Sequence, residues 1–245
     1  TLTAAWRPFW LSCWSGRIVG TVEVNGYTIE PGADLNRAKL KGANLEGVDL
    51  RQADLEGADL EGANLAGANL TEAFLRAADL SGADLRQADL EVADLRAADL
   101  WRTDLTGAVL LGVDLRGASL DRVKLRGSDF SEADLSGANL GKANLRGSRF
   151  SRANLSGAYL RQAKLAGVNL VGAKLAGADL GGVDFSEADL SGANLGGTWL
   201  GGANLGTANL SGANLGGARL SRANLSGAIA DQDTQWPEGF DPVAA

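Results

Sequence analysis

Residues 82–100 read GADLRQADLEVADLRAADL, in which a small residue, Asp and Leu follow one another at every fifth position. A period of five fits neither regular element, because leucines five apart drift around an α-helix and alternate faces along a strand. The chain must therefore turn once in every repeat. The pattern predicts an architecture of short sides joined by corners.

The repeat runs without a break over most of the chain. Its centre is every fifth residue from Leu35 to Leu225, which makes 39 repeats, and every centre is Leu except Phe130, Phe150 and Phe185. Two residues before each centre stands Ala, Val, Ser or Thr. Residues two apart in an extended segment face the same side, so we expect the small residue and the centre inside and the Asp or Asn between them outside. Gly is the commonest residue two positions after the centre, as a turn with positive φ favours.

Residues 49–70, DLRQADLEGADLEGANLAGANL, resemble the pentapeptide-repeat family, whose consensus is A-(D/N)-L-x-x. The resemblance covers residues 33–227. It implies an all-β fold, a right-handed quadrilateral β-helix (solenoid) with four repeats per coil and leucines stacked inside. The 39 repeats then make about ten coils, and a coil spacing of about 4.8 Å makes the rod roughly 45–50 Å long.

Four repeats per coil place residues 20 apart above one another, which gives specific predictions for the core. Phe130 and Phe150 are expected to stack in one column, and Phe185 to lie in another column without an aromatic neighbour. Leu135 is a centre in the middle of the rod. Its truncation should open a cavity onto which so narrow a tube cannot collapse.

The two ends break the repeat, and we divide the chain into an N-terminal Trp-rich segment with a hairpin cap (1–31), the β-helix (32–228) and a C-terminal cap or tail (229–245). A stacked β-helix exposes an unpaired edge at each end, which caps have to cover. Asn25-Gly26 within VEVNGYTIEPG predicts a hairpin. In the tail, Trp236 and Phe240 are candidates for a lid over the last coil.

The N-terminal segment 1–16 carries a cluster of large apolar side chains at helical spacing. Its members are Trp6, Phe9, Trp10, Cys13 and Trp14. Two interpretations stay open at this point: the cluster packs on the first coil, or it docks on a partner or a membrane surface. Trp and Pro interrupt the smooth apolar core that a signal peptide needs, so no export signal is read and we expect a cytoplasmic protein.

The composition speaks against an enzyme. The chain has no His and a single Cys, Cys13, so it lacks the usual general base and any Cys or His cluster for zinc, haem or iron–sulfur. The outward acids wind around all four faces and do not converge. We therefore expect no catalytic site, no cofactor, no metal and no small-molecule substrate. No apolar run approaches the ~18 residues of a membrane span.

Charge is distributed unevenly along the chain, whose net charge is −7. Residues 33–110 carry 15 acids and 8 bases, whereas residues 141–178 carry no acid and seven bases. This basic girdle comprises Lys142, Arg146, Arg149, Arg152, Arg161, Lys164 and Lys174. It suits self-association or an acidic protein partner. Nucleic acid is an unlikely partner, because the girdle spans about two coils and has one aromatic residue.

The acidic column Asp94, Asp114 and Asp134 runs beside arginines that are expected to screen it.

Outward-pointing aromatic residues are the remaining candidates for function. The candidate partner contacts are Trp6, Trp10, Trp14, Trp101, Tyr159 and Trp199, of which Tyr159 and Trp199 share a face two coils apart. We favour a non-enzymatic structural scaffold or protein–protein interaction module whose partner the sequence does not name. One alternative is a membrane-surface protein anchored by its Trp-rich N-terminus.

The family resemblance implies a further alternative. The fluoroquinolone-resistance members of the pentapeptide-repeat family bind DNA gyrase as DNA mimics, which requires a strongly negative surface. Two features of that group, projecting loops and a dimerising C-terminal end, have no counterpart in the unbroken repeats and the tail of this sequence. The tail resembles those of cyanobacterial members.

Overall fold

The computed structural model describes residues 21–241, and it begins with a β-hairpin. Strands β1 (Val22–Val24) and β2 (Tyr27–Ile29) pair antiparallel. The two residues between the strands, Asn25 and Gly26, have φ of 53° and 82°. Positive φ at both turn positions matches the twist of the flanking strands. The hairpin predicted from Asn25-Gly26 is confirmed.

The rest of the described chain forms a parallel β-helix whose sides are too short to count as extended strands, and each side is joined to the next coil by a single bridge. Parallel bridges join residues 20 apart, from Asp34 and Asp54 to Asn209 and Ile229. Four five-residue sides therefore make one coil. The last bridge, between Asn214 and Gln235, departs from this interval by one position because the tail has left the repeat. Within residues 21–241, no helix offers the length and apolarity of a membrane span.

The centres and the small residues fill the interior, as the repeat predicts. Centres such as Leu135 have no exposed surface, and neither do small residues such as Ala53. The rings of Phe130 and Phe150 stack with centroids 4.7 Å apart and planes 1° from parallel, which confirms the predicted pair. Phe185 is fully buried in a different column.

The repeat satisfies all five of its backbone N–H groups, as residues 53–57 show. The N–H of Ala53 closes the preceding corner on Leu50 O at 3.1 Å. The N–H groups of residues 54, 55 and 57 donate to carbonyls of the coils below and above, at 2.7–2.9 Å. The fifth N–H, of Glu56, donates instead to a side chain, Asp54 Oδ1, at 3.0 Å.

This side-chain bond explains why Asp or Asn occupies 28 of the 39 outward positions. Of the 28 outward residues that are Asp or Asn, 27 accept the N–H two positions later. The exception is Asn144, whose buried Oδ1 has no hydrogen-bond partner among the described residues. Asp and Asn both offer a carbonyl-type oxygen, so either residue performs this role.

Every corner has the same backbone conformation. The residue two positions after each centre has positive φ throughout, from Arg37 to Gly227, and many of these corner residues are not Gly. Val92, for example, has a φ of 58°. A β-branched residue in this region is strained. The hydrogen-bonded coils on either side hold such corners in place, so the corner position accepts almost any side chain.

Both ends of the β-helix carry non-repeat residues in contact with the core. Ile29 of the hairpin is buried, and the hydroxyl of Tyr27 accepts the N–H of Lys39 in the first coil at 3.1 Å. At the other end Trp236 packs against the core, and its ring centroid lies 5.2 Å from that of Phe240. The aromatic cluster of residues 1–16, including Trp6, Trp10 and Trp14, lies outside the described residues.

Truncation of a central leucine tests how much each centre stabilises the rod. We expect Leu135→Ala to lower the free energy of unfolding by about 2–5 kcal/mol, because the fully buried site cannot collapse. Leu225→Ala is the matched control, since Leu225 is only partly buried at the C-terminal edge and should cost less. Equal losses for the two variants in urea titrations would contradict a rigid central core.

Candidate interaction face

One of the four faces collects the unusual side chains, and we call it the aromatic face. Its outward residues are bridged in steps of 20, and the corner residues two and three positions after each outward residue flank them. From the first coil to the last, the outward residues are Lys39, Asp59, Asp79, Asp99, Ser119, Asn139, Tyr159, Asp179, Trp199 and Arg219. Every candidate aromatic contact that the structure describes belongs to this face.

The structure adds Trp101 to the pair that the sequence had placed together. Trp101 is the corner residue that follows Asp99, so it borders the same column as Tyr159 and Trp199. All three side chains are exposed, Tyr159 by 58%. The grouping was missed because corner residues were not assigned to a face. The signal is in the sequence, since Trp101 lies two positions after a member of the column.

Trp199 lies flat on the face because glycines make room for its indole. A Cβ atom on Gly201 would stand 2.9 Å from Trp199 Nε1, and one on Gly181 would stand 3.3 Å from Cδ1. The guanidinium of Arg219 covers the same ring at 5.4 Å from its centroid. A cation over a ring is attracted by its electron-rich face. The indole is thus held in one orientation while 42% of the residue stays exposed.

Tyr159 borders a shallow depression of about 450 Å³ in the middle of the face. Ser119, Asn139 and Gly141 form part of its lining, together with residues of the neighbouring corner. Arg161 donates to Asp179 at 2.7 Å at the far side. The depression exists because the side chains at these outward and corner positions are small. The depression is open, which suits a protruding side chain of a protein better than an enclosed small molecule.

Four outward acids outside the aromatic face are neutralised within their own repeat. In each of the four Asp-Leu-Arg repeats the arginine reaches back to the aspartate, as in Arg116 and Asp114 at 2.6 Å. Hydrogen bonds from Arg86 and Arg96 hold the pKa values of Asp84 and Asp94 below their ordinary value. The predicted screening of the Asp94–Asp114 column is confirmed.

The acids of the aromatic face are different. Asp59, Asp79 and Asp99 follow one another in successive coils, and within residues 21–241 no Lys or Arg lies within salt-bridge distance of them. Carboxylate oxygens of Asp59, Glu61 and Asp79 come within 4.8 Å of one another, but the ammonium of Lys41 already contacts Glu61. This contact also raises the pKa of Lys41, through its hydrogen bond with Glu61. Among the described residues, Asp59, Asp79 and Asp99 form the longest run of successive outward acids without a salt bridge, although Lys41 is close enough for Asp59 and Asp79 to help raise its pKa.

The basic girdle is not a continuous positive band. Four of its seven cations lie within 4 Å of carboxylates in other coils: Arg146 with Asp184, Arg149 with Asp129, Arg152 with Glu132, and Arg161 with Asp179. The three lysines, Lys142, Lys164 and Lys174, have no such acid among the described residues and point from different sides of the coil. A count along the sequence cannot register these pairs, because their members belong to different coils and stand far apart in the chain.

Comparison with known proteins agrees with this architecture. The family model described as "Pentapeptide repeats" matches overlapping stretches of the chain, at residues 31–65, 58–96, 93–131, 128–167, 153–192, 169–206 and 188–227. The chain belongs to the pentapeptide-repeat family. Family membership makes its fold a right-handed β-helix. A search of curated proteins found no match.

Solved structures of other pentapeptide-repeat proteins are similar to this chain. HetL, involved in heterocyst differentiation regulation in the cyanobacterium Nostoc sp. strain PCC 7120, is 35% identical over 80% of this chain and 92% of its own, with a TM-score of 0.48. QnrB1, a plasmid-mediated fluoroquinolone resistance protein, is 21% identical over 81% of this chain and 86% of its own, with a TM-score of 0.45. Rfr23 of the cyanobacterium Cyanothece 51142 is 38% identical over 40% and 63%, with a TM-score of 0.22.

The Asp-Leu-Arg pairs make the stability of this pentapeptide-repeat protein depend on acid pH. Asp84 and Asp94 have lowered pKa values in the fold, so their contribution is present above the unfolded-state pKa of about 3.9 and is lost as pH falls below it. Asp84→Asn/Asp94→Asn keeps the corner bonds and removes the charges. We expect wild type to be the more stable protein at pH 7 and the difference in melting temperature to shrink below about pH 4. A constant difference from pH 7 to 3 would contradict this.

Proposed function

We propose that this protein is a non-enzymatic scaffold that binds another protein through its aromatic face. The observation that carries the proposal is the position of Trp101, Tyr159 and Trp199 on one face of a rigid rod. Aromatic side chains and arginine dominate the energetics of protein interfaces because they bring large contact areas with little loss of rotamer freedom. Trp199, fixed between glycines and Arg219, is such a preorganised contact.

The shape of the face supports a protein partner over a small molecule. The depression beside Tyr159 is open, and its lining combines glycines with polar groups. The rod repeats the same backbone bonds in every coil, so it offers a partner a surface that does not rearrange. A rigid surface lowers the ordering cost of binding. The hairpin and the tail are proposed as the caps of this rod of about ten coils.

The test removes the aromatic side chains without disturbing the repeat. Tyr159→Asn/Trp199→Asn places at both positions a residue that the repeat itself uses there, and each Asn supplies an acceptor for the corner N–H two positions later. We expect this variant to fold with unchanged or higher melting temperature. In quantitative affinity capture from the organism that encodes the protein, it should lose at least about tenfold of the specifically bound partner, as loss of an interface anchor predicts.

A matched variant on the opposite face makes the test specific. Val109 and Ile229 are exposed apolar residues of that face, 41% and 59% exposed. Val109→Asn/Ile229→Asn therefore changes the same kind of side chain in the same repeat position, and it should retain the partner. Equal capture by wild type and both variants would refute the proposed face, and equal loss in both variants would point to a general effect of the substitutions.

The unscreened acidic stripe gives a specific reason to test the second candidate, DNA mimicry towards gyrase. Asp59, Asp79 and Asp99 follow one another at about 4.8 Å. A stripe of three acids replaces few phosphates, and the four Asp-Leu-Arg pairs neutralise acids elsewhere. We expect no inhibition of gyrase supercoiling at low micromolar concentration. Inhibition that fades with salt and disappears in Asp59→Asn/Asp79→Asn/Asp99→Asn would favour mimicry over the scaffold.

A further inference from the structure

The first half of the aromatic face carries two rows of opposite charge. The acidic row is the outward stripe Asp59, Asp79 and Asp99. The basic row lies at the adjoining corner, where the third residue after the outward position is a cation in three successive coils. Its members are Arg102, Arg122 and Lys142. All three cations are exposed, and each has the positive φ of the corner, at 56–59°. Arg122 also lies 3.4 Å from the carboxylate of Asp121, the residue before it, so a second copy has to share or displace that contact.

The two rows have the same spacing because both follow the same ladder of coils. Neighbouring members of either row are one coil apart, or about 4.8 Å. The basic row is displaced along the rod by two coils relative to the acidic row. Its middle cation, Arg122, lies two coils after the middle acid, Asp79. Every charge in these two rows can meet an opposite charge only if the partner surface carries charges at the same spacing.

A second copy of the chain offers that surface. Consider a two-fold axis that lies in the plane of the face, at right angles to the rod, and passes through the coil of Asp99. It exchanges the coil of Asp79 with that of Ser119, and the coil of Asp59 with that of Asn139. Each of these two acids of one copy then comes opposite a small polar residue of the other, directly beside a cation of the basic row.

The shape of the aromatic face is compatible with this antiparallel arrangement of two copies. Ser119 and Asn139 line the depression, so the carboxylates of the second copy meet a recess there with hydrogen-bond donors in it. At the axis, Asp99 meets Asp99 of the second copy, and the two Arg102 side chains offset that repulsion. Trp101 also lies in this coil, 41% exposed under the guanidinium of Arg102 at 4.4 Å from its ring. It meets Trp101 of the second copy.

We propose that two copies of this protein bind antiparallel across residues 59–142 of the aromatic face, with Asp79 of each copy paired with Arg122 of the other. Such an isologous contact uses one patch twice and closes on itself. The coils from Tyr159 onward lie outside the paired rows. The same axis brings the coil of Tyr159 opposite that of Lys39 in the second copy. The dimer therefore covers Trp101 and the recess and leaves Trp199 of each copy, one towards each end, for the partner of the proposed scaffold.

The contact between the two copies is small, so we expect the dimer to be weak. A strip about 24 Å long and one side of the coil wide is smaller than the ~800 Å² per partner of a standard interface. We therefore expect a dissociation constant on the order of micromolar. Ion pairs at a solvent-exposed rim weaken as salt screens them, so the dimer should dissociate more readily at about 0.5 M than at about 0.05 M salt.

Sedimentation velocity on charge-reversal variants tests the pairing. Wild type, of 25.2 kDa per chain, should sediment as a dimer at about 100 µM in low salt. Asp79→Lys and Arg122→Glu should each weaken dimerisation at least about tenfold, and the double variant should restore it, because the pair is reversed as a whole. The repeat itself uses Lys at outward positions, as at Lys39, and Glu at this corner position, as at Glu72, so the variants should fold.

Control measurements separate this proposal from the scaffold. Asp189→Lys, a charge reversal on the opposite face, should leave dimerisation unchanged. Tyr159→Asn/Trp199→Asn should lose the partner and keep the dimer, whereas Asp79→Lys should lose the dimer and keep the partner. A monomer at about 100 µM in low salt would overturn the dimer. So would a dimer that Asp79→Lys does not weaken, or a double variant that stays monomeric.

Discussion

The hydrogen bond from the corner N–H to the outward Asp or Asn is the constraint that sets the polar position of the repeat. Four of the five N–H groups in a repeat bond to carbonyls, as those of residues 53, 54, 55 and 57 do. The fifth, in Glu56, has only the side chain of Asp54. The neighbouring coils offer this N–H no backbone partner. The chain places Asp or Asn as the acceptor at 28 of the 39 outward positions.

This constraint leaves the charge of the surface free. Asp and Asn satisfy the corner equally, so the chain carries acids in its first half and mostly Asn beyond residue 190 without a change of fold. Where the residue after the centre is Arg, it neutralises the acid, as Arg51 does for Asp49 at 2.8 Å. Asp79, which is followed by Leu80 and Ser81, has no salt bridge among the described residues. The outward residue and the residue after the centre therefore set the surface charge of each repeat, and the backbone fold is the same whichever charge they carry.

Features that follow from the five-residue period, including the stacking of residues 20 apart, could be predicted from the sequence. The ion pairs between side chains of different coils were missed. The buried centres, the Phe130–Phe150 stack and the hairpin at Asn25 are consequences of local pattern, and the structure shows them. The neutralisation of the girdle depends on partners in other coils, such as Asp184 for Arg146. The corner residue Trp101 could have been assigned to its face from the numbering alone. The unscreened stripe could also have been found, from the absence of Arg after each centre.

The aromatic residues of the face are better explained by a binding role than by the stability of the rod. Tyr159 and Trp199 stand where the repeat places its acceptor, and each omitted hydrogen bond forgoes at most about 0.5–1.5 kcal/mol, since the corner N–H also reaches water. Tyr159 stays 58% exposed and returns little burial to the rod, whereas Trp199, 42% exposed, is partly covered by Arg219. Side chains that break a local rule without a compensating gain in the fold are expected at functional sites. Other faces break the rule too. The Phe74 face also has a recess, of about 460 Å³, but its acids Asp94 and Asp114 are paired with arginines, whereas the aromatic face combines its recess with three exposed aromatic side chains.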